Sequence, residues 1–270
     1  MNLRYFIFVV VLLVSCKEPG KSKSVLLRSG TIKNSQQKKN LDTAEESKAA
    51  KYSKIIEVGY YEKLEGLSHF QLDSIDEADY NKIAAKKSFE ITEIERQNDF
   101  FYIQGAKQKF EFKMYKDYKG ELSWSGYEYL GHCTVLNLVA LQESSTADYL
   151  GFSEMQLLDT SNDVLFKIIS LGDASVSVPE LSPDHKFMVY FQNPEYESKD
   201  QAIVILKVND KTDPAKFLTE YKSCLSESDH TIEEIKWKSN TVIYIKAYRS
   251  TGFDSNGKEL RAYFYYKAEI

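Results

Sequence analysis

The chain has 270 residues, 43% hydrophobic, 13% aromatic and 28% charged, the texture of a globular protein rather than a disordered or fibrous one. Its 35 basic and 40 acidic side chains leave a net charge of −5, which argues against a nucleic-acid binder working through a basic surface. Three cysteines are too few for a disulfide-stapled scaffold and lack any paired zinc spacing.

Arg4 is followed by an unbroken apolar run from Tyr5 to Val14. A spanning helix needs roughly 20 apolar residues, so this shorter run reads as the hydrophobic region of a signal peptide over residues 1–15. It ends in Leu13-Val14-Ser15-Cys16, which resembles the bacterial lipobox. The resemblance implies cleavage after Ser15 and diacylglycerol on the Cys16 sulfur. A plain secretory site would also accept Ser15 but fits Leu13 poorly. Each buried acyl CH₂ contributes roughly 0.8 kcal/mol, so a multiply acylated Cys16 would anchor the protein to a membrane permanently. Lys17-Glu18 carries no Asp of the inner-membrane retention type, and resembles the start of a surface-export signal of Bacteroidota-type bacteria before Pro19 interrupts it. The expected location is the bacterial cell envelope, at the outer membrane.

Residues 16–50 read as a flexible tether rich in Lys, Ser, Gln and Asn. Residues 1–50 hold nine basic and four acidic side chains, +5, which leaves −10 for the remainder.

From about Lys51 to Ile270 the composition predicts a single β-rich domain, with Tyr and Phe dense as strands prefer. Ser74-Ile75-Asp76-Glu77 has the form of a capping box, and Tyr80, Ile83 and Ala84 give a narrow apolar face, which together predict a helix over 75–87. Phe89 to Glu95 alternates like a half-buried strand. Asp99–Gln104, Gly105 and Lys109–Tyr115 predict a hairpin. Leu136–Leu141, Met155–Leu158 and Val164–Ile169 are further strands, with Thr160-Ser161-Asn162-Asp163 as the turn between the last two.

Residues 180–191 can be laid over 234–245, and strands Ala202–Val208 and Leu260–Lys267 follow the two copies. The alignment pairs Pro183 with Trp237, Val189 with Ile243 and Tyr190 with Tyr244. Ser182-Pro183-Asp184-His185-Lys186 resembles the S-P-D-G-K turn of TolB-type and WD40-like β-propeller blades, with His185 in place of Gly. Tyr127-Glu128-Tyr129-Leu130-Gly131, Leu157-Leu158-Asp159-Thr160 and Glu234-Ile235-Lys236-Trp237 extend the likeness, over about 127–270, to secreted proteins of Bacteroidota-type bacteria with no activity attached. The resemblance implies an all-β fold with one short N-terminal helix, built as an antiparallel β-repeat. At that repeat length the chain suits a partial or open propeller-like array, or a curved stack of sheets, better than a complete ring.

No catalytic motif is present: no G-x-S-x-G, H-E-x-x-H, Walker or Rossmann pattern. Ser123-Trp124-Ser125-Gly126 lacks the glycines of a nucleophile elbow. His69, His132, His185 and His230 stand singly, so no metal site and no cofactor is expected. Cys133 and Cys224 read as buried free thiols or, outside the cytoplasm, as one disulfide. Asp254–Glu259 resembles a calcium-loop start, but Asn256-Gly257 between strands is a stronger hairpin signal, and Tyr265 stands where the loop needs Glu. Tyr60-Tyr61 and Tyr263–Tyr266 suit strand faces or, alternatively, a glycan-stacking surface. Two functions follow: an anchored, non-enzymatic module that binds a protein, peptide or glycan partner through its loops, or an envelope hydrolase using loop acids such as Asp159, Asp163, Asp184 and Glu195.

Overall fold

The computed structural model describes residues 52–116, 124–147, 149–196 and 198–270. Cys16, Lys17-Glu18, the tether and Ser123 lie outside these residues. The chain separates into two units, 1–47 and 48–270, and the second is described here.

The body opens with a strap of very short elements: β1 (Lys54–Val58), α1 (Tyr61–Glu65), β2 (Ser68–His69), β3 (Asp73–Ser74) and α2 (Glu77–Tyr80). Four antiparallel meanders follow. The first sheet is β4 (Glu95–Gln97), β5 (Phe100–Gln104) and β6 (Lys109–Lys113). The second is β7 (Trp124–Cys133), β8 (Leu138–Ala147), β9 (Leu150–Asp159) and β10 (Val164–Ile168), with β1 parallel on the outer edge of β10. The third is β11 (Glu180–Leu181), β12 (Phe187–Gln192), β13 (Asp200–Val208) and, after the single turn α3 (Pro214–Phe217), β14 (Leu218–Glu227), with β2 on its edge. The fourth is β15 (Thr231–Trp237), β16 (Val242–Phe253) and β17 (Glu259–Glu269), with β3 on its edge. The strap thus adds one outer strand to each of three successive sheets.

The sheets lie face to face, and alternation along each strand sorts side chains into separate cores. Phe101, Phe110 and Phe112 of the first sheet pack on Val139, Leu141 and Leu165 of the second. From the other face of the second sheet, Leu138, Leu157 and Phe166 meet Met188, Tyr190 and Val204 of the third. Val189, Ile203 and Ile205 then face Ile235, Ile243 and Ile245 of the fourth. This two-sided burial explains why Val164–Ile168 and Ala202–Leu206 are near-continuous apolar runs rather than alternating ones. Among the described residues no apolar core joins the first sheet to the fourth, so the array stays open.

Asp163 binds the first two sheets together. Its backbone is left-handed (φ 57°), and its carboxylate accepts the N–H groups of Ala106 (2.7 Å) and Lys107 (2.9 Å) in the β5–β6 turn. A Cβ on Gly105 would lie 2.2 Å from the Asp163 carboxylate, so only glycine allows this approach.

Three expectations need correction. The helix expected over 75–87 is one turn, Glu77–Tyr80, with Asp76 rather than Ser74 at its N-cap and no side-chain cap. Ser74 is instead paired with Tyr266 in β3, and the buried Tyr80 docks the turn on Tyr265. The strand expected at Phe89–Glu95 is reduced to a bridge between Glu90 and His132, and regular pairing begins at Glu95. The repeat copies differ in register by three residues: Glu180 faces Val189, whereas Ile243, the counterpart of Val189, faces Trp237. The second turn is shorter, closing on Lys238 and Val242 against Ser182 and Phe187 in the first. Trp237 therefore ends a strand while Pro183 sits in a turn. Val189 and Ile243 do share one core, and Tyr190 points into another, as the alternation predicts.

Candidate binding groove

The chemistry of β8 and β9 changes along their length. Their inner halves, Leu138–Leu141 and Met155–Asp159, are buried. Their outer halves, Gln142 to Ala147 and Leu150 to Glu154, are mostly polar and emerge beyond the end of β10, which pairs with β9 only up to Met155. Ser153 extends the contact by donating its N–H to the Asp173 carbonyl (2.7 Å). Two depressions of about 440 and 290 Å³ lie here on opposite faces of the β8–β9 ribbon: Gln142, Ser144 and Ser153 face the larger, and Glu143, Ser145, Phe152 and Glu154 face the smaller.

A hydrogen-bond network holds the floor rigid. The Ser175 hydroxyl donates to Gln142 Oε1 (2.9 Å), and its N–H donates to Ser153 Oγ (2.8 Å). Gln142 Nε2 reaches Glu128 and Ser144 (both 3.2 Å). On the opposite wall the Glu195 carboxylate accepts from the N–H groups of Asp173 (2.8 Å) and Ala174 (3.0 Å) and from Gln192 Nε2 (3.1 Å). A Cβ on Gly172 would sit 2.8 Å from the same carboxylate. With Glu195 pinned, the next residue, Tyr196, is held left-handed at φ 52° with 83% of its surface exposed. That conformation costs a residue with a Cβ about 1 kcal/mol, and no burial offsets it. Tyr115 is the other ring of the larger depression, whereas Phe152, 43% exposed, alternates to the face of Glu154. The charged residues lining the larger depression, Glu128, Asp173 and Glu195, are carboxylates, while Glu143 and Glu154 of the smaller one hold Lys167 Nζ at 3.9 and 2.9 Å.

The acids named for a hydrolase do not converge; each is engaged in its own turn. Asp159 is buried, accepts from Ser161 and Asn162, and pairs with Lys211 Nζ at 2.8 Å. Asp163 is the clamp described above, and Glu195 is the anchor of the groove wall. Asp184 accepts from the Ser182 hydroxyl (2.8 Å), which in turn accepts the N–H groups of Lys186 and Phe187. His185 takes the place of the missing glycine at φ 63° and is exposed.

A second cavity, of about 340 Å³, brings His132, Glu180, Ser182 and His185 onto one wall. Burial pushes Glu180 above its ordinary carboxylate range, against the hydrogen bond it accepts from the Ser88 N–H (2.8 Å). Burial also lowers the His132 pKa, and its Nε2 is enclosed with no partner. The Ser182 hydroxyl is already saturated, so these residues do not form a nucleophile–base pair.

His69 lies near the Ser223 hydroxyl, and His230 stacks on Phe264 with Nδ1 3.0 Å from the Tyr266 hydroxyl. Among the described residues no group of three or more His, Cys, Asp or Glu could hold a metal. Cys133 and Cys224 are free thiols packed against different cores, with pKa values raised by burial. Asp254–Gly257 forms the hairpin tip, Gly257 at φ 77°. Tyr266 packs against the core shared with the third sheet, Tyr265 covers Tyr80 on the opposite face, and Tyr263 is exposed.

No family model, curated protein or solved structure matches this chain. Together with the open array of sheets, this overturns the resemblance to TolB- or WD40-like propeller blades: the turn at Ser182–Lys186 is a local motif, and no sheet is closed into a propeller. Sequence reasoning named only Glu195 of the groove. Gln142, Ser144, Phe152, Ser153, Asp173 and Tyr196 come together from distant segments. The available signal was the change within β8 from apolar LVAL to polar QESSTA.

Proposed function

We propose that this protein is a lipid-anchored protein of the bacterial cell envelope, held at the outer membrane through Cys16, whose stacked-sheet body is a non-enzymatic binding module. The observation that carries the binding role is the groove: a rigid polar floor with two exposed or part-exposed rings beside it, Tyr115 and Tyr196, the second in a strained backbone. The four acids of the hydrolase alternative are spent on turns and walls, which favours binding over catalysis. The apolar run, Leu13-Val14-Ser15-Cys16 and the positive tether support the anchor.

The anchor is tested in a bacterial host. Replacing Cys16 with Ala should abolish labelling by a fatty-acid probe and move the protein from the membrane to the soluble fraction. Labelling that persists in Cys16→Ala would refute the anchor.

A further inference from the structure

We infer that the groove over β8 and β9 is a carbohydrate site that takes a neutral oligosaccharide, an inference that rests on the binding-module reading and specifies its ligand.

The lining chemistry narrows the ligand class. The charged residues lining the larger depression, Glu128, Asp173 and Glu195, are carboxylates, so sulfated or phosphorylated ligands and nucleic acid meet repulsion. The floor of Gln142, Ser144 and Ser153 is hydroxyl and amide, which denies a lipid tail the apolar contact it needs. An extended peptide needs a row of free backbone N–H and C=O groups. Here the floor is the face of a sheet whose β7–β8 and β8–β9 ladders are already paired along their length. A sugar needs what remains: acceptors for its many hydroxyl donors, and flat apolar rings for its C–H faces. Carboxylates only accept, and Glu128 and Asp173 line the larger depression while Glu195 is held in its wall. Tyr115 and Tyr196 supply rings whose faces are apolar and whose hydroxyl edges are polar. The floor and wall are fixed by their own hydrogen bonds, so little ordering is lost on binding. At about 440 Å³ the larger depression is of ligand-binding size.

The test titrates the full chain in detergent with cellotetraose, maltotetraose and chitotetraose by calorimetry, with heparin and oligolysine as the charged probes. At least one neutral tetrasaccharide should bind and heparin should not. Tyr196→Gly and Tyr115→Leu should each weaken binding about tenfold, the loss expected for one aromatic contact. Tyr196→Gly relieves the left-handed strain, so its melting temperature should not fall, and weaker binding cannot then be ascribed to unfolding. Absence of binding by all three tetrasaccharides, or binding indifferent to both variants, overturns the carbohydrate assignment. Oligolysine binding that depends on Tyr196, without any sugar binding, also overturns it but leaves the binding module standing. Release of new reducing ends from a bound tetrasaccharide overturns the non-enzymatic reading itself.

Discussion

Trp237 joins the third and fourth sheets, and its removal measures that junction. The ring packs against the apolar core between the two sheets, partly buried, and its Nε1–H donates to the Glu180 carbonyl of β11 at 2.8 Å. Truncating a fully buried Trp to Ala costs roughly 3–5 kcal/mol, and most of this side chain is covered, so the packing loss is about 3 kcal/mol. The hydrogen bond adds about 1 kcal/mol. For a body of this size each kcal/mol lowers the melting temperature by roughly 2–4 °C, so Trp237→Ala should melt about 8–16 °C below the parent. Trp237→Phe keeps most of the packing and loses the donor, and should fall by only about 2–4 °C. Scanning calorimetry on the parent and the two variants decides the matter. A Trp237→Ala protein that melts within about 1 °C of the parent would refute the junction, and equal losses in Ala and Phe would refute the division between packing and hydrogen bond.

Asp163→Ala should cost about 2–4 kcal/mol in urea unfolding, because it removes two charge-assisted hydrogen bonds and leaves two turn N–H groups unpaired; the hairpin at 100–113 should then lose hydrogen-exchange protection before the rest. Glu180 binds its proton more tightly folded than unfolded, since burial raises its pKa from 4.5. Its contribution to stability therefore falls as pH rises from about 4.5 through the folded-state value. Glu180→Gln should raise the melting temperature more at pH 7 than at pH 4; the opposite order would show that Glu180 is not desolvated in the folded protein.

What could be read in advance follows the range of the interactions. The hairpin at 100–113, the turn at 160–163 and the Asn256-Gly257 tip were legible because turn chemistry and alternation are local. The two-sided strands of the second and third sheets were legible as apolar runs, though which face meets which sheet was not. β2 and β3 were illegible: two-residue strands in polar sequence exist only because distant sheets offer an edge. The helix at 75–87 failed for the same reason, since pairing with β17 took Ser74 away from its capping role. The groove has no spacing signature, because its residues come from strands β7, β8 and β9 and from loops whose meeting depends on how the second and third sheets stack.

The strap has a consequence for how the protein is made. β1, β2 and β3 emerge first yet pair with β10, β14 and β17, roughly 110, 150 and 190 residues later. Each of the three sheets therefore gains its outer strand only when its own edge strand, β10, β14 or β17, has arrived, and the end of the strap is among the last segments to find its place. Any route that delivers the chain progressively must hold each piece of the strap unpaired until then. Any loss of residues 54–74 would leave three exposed strand edges at once, the condition under which chains join to one another rather than to themselves.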